Sequence, residues 1–324
     1  MDKTIPWTEK YRPQLFEDII SHDLIKDILN KFLINNKLNN LILYGPPGIG
    51  KTTLTLSLLQ KIYGPDYKHM ILELNGSDDR GINIVRDEIK NYASYNHMFT
   101  KKIKLVILDE VDSMTDDAQY ALKEIIEIYD KNTKFILICN AINKIIYPLQ
   151  SCCFVFRFST IPDEDIKIYL LKIIKNEELT YTTAGLKNLI KLSEGDLRKS
   201  INYLQSTYLS YNIINNNNIY NSLGIPKTTE IKKIINNIYN KDIVENIEYI
   251  KLIITNNGYS LTDIIKYIVK LLIELDIDED ILINLLIHLS KIEYNIVNFG
   301  TNRIQLYSLI SCLFILKDKN IISN

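Results

Sequence analysis

A chain of 324 residues, 46% hydrophobic and 24% charged, is too long for one small domain and carries apolar material for two or three cores. Its formal net charge of −1 excludes recruitment of nucleic acid by a global field, so such a partner must meet a local basic surface. No apolar run reaches the ~20 residues of a membrane span, the N-terminus lacks the apolar stretch of a secretory leader, and the expectation is a protein neither exported nor inserted. The four cysteines (Cys139, Cys152, Cys153, Cys312) include no C-x-x-C pair and no histidine partner at zinc spacing, which predicts reduced thiols in a reducing compartment.

Up to about residue 160, short β-rich runs alternate with helical spacing, predicting a parallel sheet covered by helices. The first strand is read at Leu41-Ile42-Leu43-Tyr44 and runs into GPPGIGKTT, which matches G-x-x-x-x-G-K-[ST] between a strand and a helix. In such a loop the backbone N–H groups of Gly45, Pro46, Pro47, Gly48, Ile49 and Gly50, prolines excepted, close around phosphates at a helix N-terminus. Lys51 then reaches the β- and γ-phosphates and the Thr52 hydroxyl ligates Mg²⁺, with Thr53 next in the helix.

The second strand is read at Met70 to Leu74. In the segment SDDRGINIVRDEIKNYA that follows, Arg86 and Lys90 share a helical face with Arg80 near the helix start. Residue chemistry leaves that face either solvated or bound to an anionic partner. Tyr92, Tyr95, Met98 and Phe99, with Lys101 and Lys102 behind them, are either core or a partner surface. The third strand, Leu105 to Leu108, ends in DEVDS, where Asp109 would join the Mg²⁺ shell and Glu110 would orient or deprotonate the attacking water. Ala118, Ala121, Leu122, Ile125, Ile126 and Tyr129 recur at helical spacing. A fourth strand, Phe135 to Ile138, leads to Asn140, whose amide suits a water or a γ-phosphate. The next segment, PLQSCCFVFRF, sets Cys152 beside Cys153.

From Pro162 helical patterns dominate, with breaks expected near Gly185, Gly195, Gly224, Gly258 and Gly300. Arg198 opens one of these helices and on its own is an ordinary surface arginine. Boundaries near 160 and 225 divide the chain into an α/β domain (1–160), a small helical domain (161–225) and a helical C-terminal domain (226–324). In the last, Ile264 to Leu275 and Asp280 to Val297 are apolar around more than one narrow stripe, which predicts burial on several sides, by the domain's own core or by an oligomeric collar.

These motifs, together with PWTEKYRP (Pro6 to Pro13), ELNGSDDRGI and DDAQYALKEIIEIY, resemble the ordered boxes of replication factor C small subunits, which are AAA+ ATPases of the sliding-clamp loader. The likeness spans Pro6 to Gln205 and returns weakly in NFGTNRIQLYSLI. It implies an AAA+ α/β P-loop domain, a helical lid and an all-α collar, with ATP and Mg²⁺ as ligands. It implies that Thr8, Arg12 and Ile20 surround the adenine and ribose, that Asn140 is sensor 1 and that Arg198 is sensor 2. It further implies other loader subunits in a hetero-pentamer, a ring-shaped clamp, and primer-template DNA tracked by Arg80, Arg86 and Lys90 through backbone phosphates, in the nucleus or at a cytoplasmic site of replication. Asp87 and Glu88 dilute that charge, so DNA affinity would come from several subunits together.

One departure stands out. After PLQS the family pattern has Ser-Arg-Cys, whose arginine completes a neighbouring subunit's ATP site, whereas this chain reads Ser151-Cys152-Cys153. Cys152 leaves the finger position vacant, and Arg157, five residues on, is no substitute, because the family carries an Arg-Phe there besides the finger. Two other readings stay open: a loader scaffold that does not hydrolyse ATP, and a different AAA+ DNA motor or origin-recognition ATPase.

Overall fold

A strand buried on both faces reads as a continuous apolar run, and that is what the centre of the sheet is made of. In a computed structural model, which describes residues 5–35, 37–64, 71–77, 82–94, 104–275, 277–300 and 302–318, five parallel strands lie in the order β2-β3-β4-β1-β5. They are β1 Leu41–Tyr44, β2 Ile71–Asn75, β3 Lys104–Asp109, β4 Thr133–Cys139 and β5 Phe154–Arg157. The three inner strands are almost wholly buried, while the edges β2 and β5 are half-buried to exposed. The four expected strands are present. β5, which the sequence reading left as an unassigned apolar run, is the fifth.

The chain separates into two compact units, residues 1–214 and 215–324. In the first, the short helix α1 (Trp7–Lys10) precedes α2 (Asp23–Ile34). Next come α3 (Lys51–Tyr63), α4 (Ile82–Ser94), α5 (Asp116–Tyr129) and the one-turn α6 (Tyr147–Ser151). Thr115 caps α5 through the Ala118 N–H, and Asp116 and Asp117 complement its dipole. The apolar stripe then buries Leu122, Ile125 and Ile126 in a core shared with Val106, Leu108, Phe135 and Leu137 of the sheet. Beyond β5 the unit is largely helical: α7 Asp163–Asn176, α8 Thr183–Ser193 and α9 Leu197–Tyr211, with a two-residue parallel pairing of β6 (Thr180–Tyr181) and β7 (Ile213–Ile214). The break expected near Gly185 falls between α7 and α8, just ahead of that glycine. Gly185 lies buried in the first turn of α8, where its N–H donates to the capping Thr182 hydroxyl, so the break falls before the cap.

The second unit comprises α10 (Asn216–Leu223), α11 (Thr228–Asn240), α12 (Ile243–Asn257), α13 (Leu261–Glu274), α14 (Glu279–Phe299) and α15 (Asn302–Asp318). Ile234, Ile238, Ile250, Ile264, Ile268, Leu285, Leu289 and Leu309 form its core. α13 is buried as the sequence pattern suggests. α14 instead buries Leu285, Leu289 and Ile292 and leaves Ile283, Ile287, Tyr294 and Val297 exposed within this chain. Among the described residues no helix is long and apolar enough to cross a membrane.

One buried side chain ties together the loops on one side of the sheet. Gln119, fully buried on α5, donates from Nε2 to the carbonyls of Met114 (3.2 Å) and Lys144 (3.0 Å) and accepts the Ile146 N–H at 2.9 Å. Gln119→Leu keeps the volume and strands these three groups. It should destabilise the chain by about 2–4 kcal/mol in denaturant unfolding; an unchanged midpoint would show that solvent satisfies them.

Candidate nucleotide site

Because β4 inserts between β1 and β3, the loops leaving three neighbouring strands converge at their carboxyl ends, where ligands of open α/β sheets bind. The register aligns Tyr44 with Cys139 and Leu108 with Leu137. Loop 45–50 therefore emerges beside Asn140, with Asp109 and Glu110 on the far side of it.

Lys51, the first residue of α3, is buried and turned back under its own loop. Its Nζ donates to the carbonyls of Gly45 and Pro46, both at 2.7 Å, and to Asn140 Oδ1 at 2.9 Å. Burial lowers its proton affinity, and the negative charge of Asp109 is the largest effect opposing this. Thr52 Oγ1 donates to Asp109 Oδ2 at 2.8 Å, and Asp109 Oδ1 accepts the Glu110 N–H at 2.8 Å. Glu110 is left-handed (φ 54°, ψ 40°), a conformation that costs a residue with a Cβ about 1–3 kcal/mol. The turn Val111–Ser113 pins it, with Ser113 donating to the Glu110 carbonyl from N (3.0 Å) and Oγ (2.7 Å).

Above the loop lies a cavity of about 250 Å³. One side is polar: Gly48 to Thr53, Asp109, Glu110, Asn140 and Arg198. The other is mixed, with Thr8, Glu9, Arg12, Pro13, Ile19 and Ile20 from the N-terminal segment and Ile161, Tyr169, Leu197 and Ile201 from the helical part. The first wall offers backbone N–H groups and cations to an anion, and the second offers an apolar surface to a flat ring. The N-terminal segment is held by the helices after β5. Trp7 N donates to Gln205 Oε1 at 3.0 Å, Tyr11 Oη to Glu177 Oε1 at 2.6 Å, and Tyr169 Oη to the Tyr11 carbonyl. Lys10 also pairs with Glu177.

The structure thus gathers Thr8, Arg12, Ile20, Pro47, Gly48, Ile49, Gly50, Lys51, Thr52, Thr53, Asp109, Glu110, Asn140 and Arg198 around one cavity. Gly45 and Pro46 are not in its lining and serve instead as acceptors for Lys51. Arg86 and Lys90 stand one turn apart on α4, Lys90 half-buried; Arg80 and the Arg86 side chain lie outside the described residues, as do Tyr95, Met98, Phe99, Lys101 and Lys102. Cys152 is half-buried at the end of α6, its Sγ 3.3 Å from the Pro148 carbonyl and 3.8 Å from Glu127 Oε1. Burial pushes the neighbouring Cys153 thiol up to about 12.

Sequence reasoning missed Asp196, although it stands two residues before Arg198. It caps α9 through the Lys199 N–H at 2.9 Å, and its carboxylate lies against Gly48, whose carbonyl accepts the Leu197 N–H at 3.1 Å. The phosphate loop and the helix carrying Arg198 are therefore in direct contact.

Residues 41–160 match the ATPase family associated with various cellular activities (AAA), and residues 226–312 match the replication factor C C-terminal domain. The chain is 41% identical to the probable replication factor C subunit 5 of Dictyostelium discoideum, covering 99% of this chain and 94% of that one. It is 40% identical to replication factor C subunit 5 of Homo sapiens, over 98% and 93%, and 37% identical to replication factor C subunit 3 of Saccharomyces cerevisiae, over 94% and 91%. Its fold is similar to the Holliday junction branch migration motor RuvB of Thermotoga maritima, with a TM-score of 0.54 over 78% of this chain and 88% of that one; at 16% identity the fold alone is shared.

Gly48 generates a test of the loop contact. Its φ is +72°, and a Cβ there would lie 1.8 Å from Asp196 Oδ1. Gly48→Ala should weaken binding of a fluorescent ATP analogue by about tenfold or more, from strain of about 1–3 kcal/mol. Adding Asp196→Ala should restore part of the loss; additive losses would mean that the carboxylate does not press on the loop.

Proposed function

The chain belongs to the replication factor C family, and from that premise we propose that it is an ATP-hydrolysing subunit of a heteromeric clamp loader, which opens a ring-shaped sliding clamp and sets it on primer-template DNA. The observation that carries this reading is the convergence of Lys51, Thr52, Asp109, Glu110, Asn140 and Arg198 on one cavity beneath an N-terminal wall containing Thr8, Arg12 and Ile20. A loader subunit that only binds nucleotide has no use for Glu110 held in a strained turn at that cavity. A branch-migration motor would share the fold, but not the match of residues 226–312.

In this reading Lys51 exchanges its loop carbonyls for phosphate oxygens, and the N–H groups of loop 48–51 at the start of α3 hold the remaining phosphate charge. The Thr52 hydroxyl and Asp109 carboxylate, 2.8 Å apart, are hard oxygen donors of the kind Mg²⁺ takes, and the bound ion would neutralise developing phosphate charge. Glu110 orients the water and accepts its proton, Asn140 holds the water or the γ-phosphate, and Arg198 brings a guanidinium from α9 to the same phosphate. The adenine rests on Ile20 and its neighbours. The three-part division at about 160 and 225 corresponds to ATPase, lid and collar. The exposed Ile283, Ile287, Tyr294 and Val297 of α14 suit contact with neighbouring subunits of a hetero-pentamer. DNA would pass along α4, meeting Arg80, Arg86 and Lys90, in the reducing compartment where replication occurs, the nucleus or its cytoplasmic equivalent.

Cys152 supports a narrower duty. Where the family presents an arginine to the adjoining ATP site, a thiol offers neither charge nor a fork of donors, so this chain completes its own site with a neighbour's arginine and cannot complete the next one. That suits either a ring edge, where no neighbour needs a finger, or a ring position whose neighbour has a silent site.

Glu110→Gln should keep ATP binding and hold the assembled loader on clamp and DNA, with turnover at this site falling about 10²-fold or more when the other sites are silenced. Equal turnover in the two loaders would remove Glu110 from the chemistry. Cys152→Ala should change the loader's DNA-stimulated ATPase by less than about twofold, whereas a fall matching that of Glu110→Gln, with assembly intact, would give the thiol a role of its own.

A further inference from the structure

We infer that Asp112 is a positioning residue for ATP hydrolysis, one that holds Asn140 against Lys51 by anchoring the exit of β4 to the turn that carries Glu110. The inference rests on the assignment of Asn140 to the γ-phosphate or water given above. The strand ends at Cys139, and the next two backbone N–H groups, those of Asn140 and Ala141, both donate to Asp112 Oδ2, at 3.2 and 3.1 Å. Asp112 stands two residues after Glu110 in the turn Val111–Ser113. Asn140 Oδ1 accepts from Lys51 Nζ at 2.9 Å. A continuous path thus runs from the Glu110 turn through one carboxylate oxygen and the Asn140 backbone to the ammonium at the phosphate loop. Without it, Asn140 would lie on an exposed loop start, and a shift of one ångström at a reacting centre is enough to lose a large part of the rate.

The geometry makes a chemical demand that mere burial would not. A single oxygen serves both amides, so an asparagine can do the work, whereas a glutamate, with the same charge one methylene further out, cannot.

The test uses the reconstituted loader with its other ATP sites silenced. Asp112→Ala and Asp112→Glu should each lower kcat about 10- to 100-fold, with ATP-analogue affinity held within about threefold. Asp112→Asn should lose no more than about threefold. Hydrogen exchange at the Asn140 and Ala141 amides should quicken in the alanine and glutamate variants and stay slow in the asparagine one. Because Asp112 acts through Asn140, either damaging change made on an Asn140→Ala background should cost less than about twofold more. If Asp112→Ala does not fold, Asp112→Glu carries the same comparison. Additive losses, an asparagine variant as slow as the glutamate, or unchanged exchange at the two amides would overturn the inference while leaving the site intact. Full turnover in Asn140→Ala alone would overturn the site assignment, and the inference with it.

Discussion

An ammonium group taken out of water must find acceptors or give up its proton, and Lys51 is only 7% exposed. Its three hydrogens are met by two carbonyls of its own loop and by the amide oxygen of Asn140, which belongs to another strand. The pairing of Tyr44 with Cys139 makes this possible, because it brings the ends of β1 and β4 level. Shifting that register by one residue would move Asn140 to the other face of the sheet and leave the ammonium one partner short. An arriving phosphate therefore meets a lysine already engaged, and must offer oxygens at least as good as those it displaces.

What could be read from the sequence was what is local in it. The P-loop, the acidic end of β3 and the stripe of α5 each lie within about one element, where a period or a short motif carries the physics. The cavity's second wall was not legible in that way. Tyr169 and Ile161 reach it from beyond the sheet, and the positions of Thr8, Arg12 and Ile20 rested on family likeness. Gln119 looked like one more polar residue on a helix until the fold brought Lys144 and Ile146 to it from 25 and 27 residues away. β5 went unassigned although Phe154, Val155 and Phe156 are apolar, because a run that short does not by itself separate strand from loop, and as an edge strand it leaves Phe154, Val155 and Arg157 exposed. The pattern of α14 suggested burial on several sides because composition records which faces are apolar, and not whether this chain or another covers them.

The helix that carries Cys152 is firmly mounted. Leu149 is fully buried in α6, Gln150 donates to the carbonyls of Ile142 and Ile145, and Ser151 donates back to Pro148. None of these contacts is made by the Cys152 side chain. On the proposed reading the departure at Cys152 is therefore chemical and confined to one side chain, while the element that presents it retains the packing through Gln119 that links it to the turn following Glu110.

The bond between Trp7 and Gln205 joins residues 198 apart in the sequence, and that between Tyr11 and Glu177 joins residues 166 apart. Contacts of such separation are paid for late, after the closure of a very long loop. During synthesis the first dozen residues leave the ribosome long before the helices that hold them. The phosphate loop can take shape on its strand in that interval, but the wall beneath which a base would rest cannot. Both sides of the cavity wait for this part of the chain, because Arg198 and the contact of Asp196 with Gly48 also lie at the start of α9, so the complete pocket forms only after about two-thirds of the polypeptide has been made.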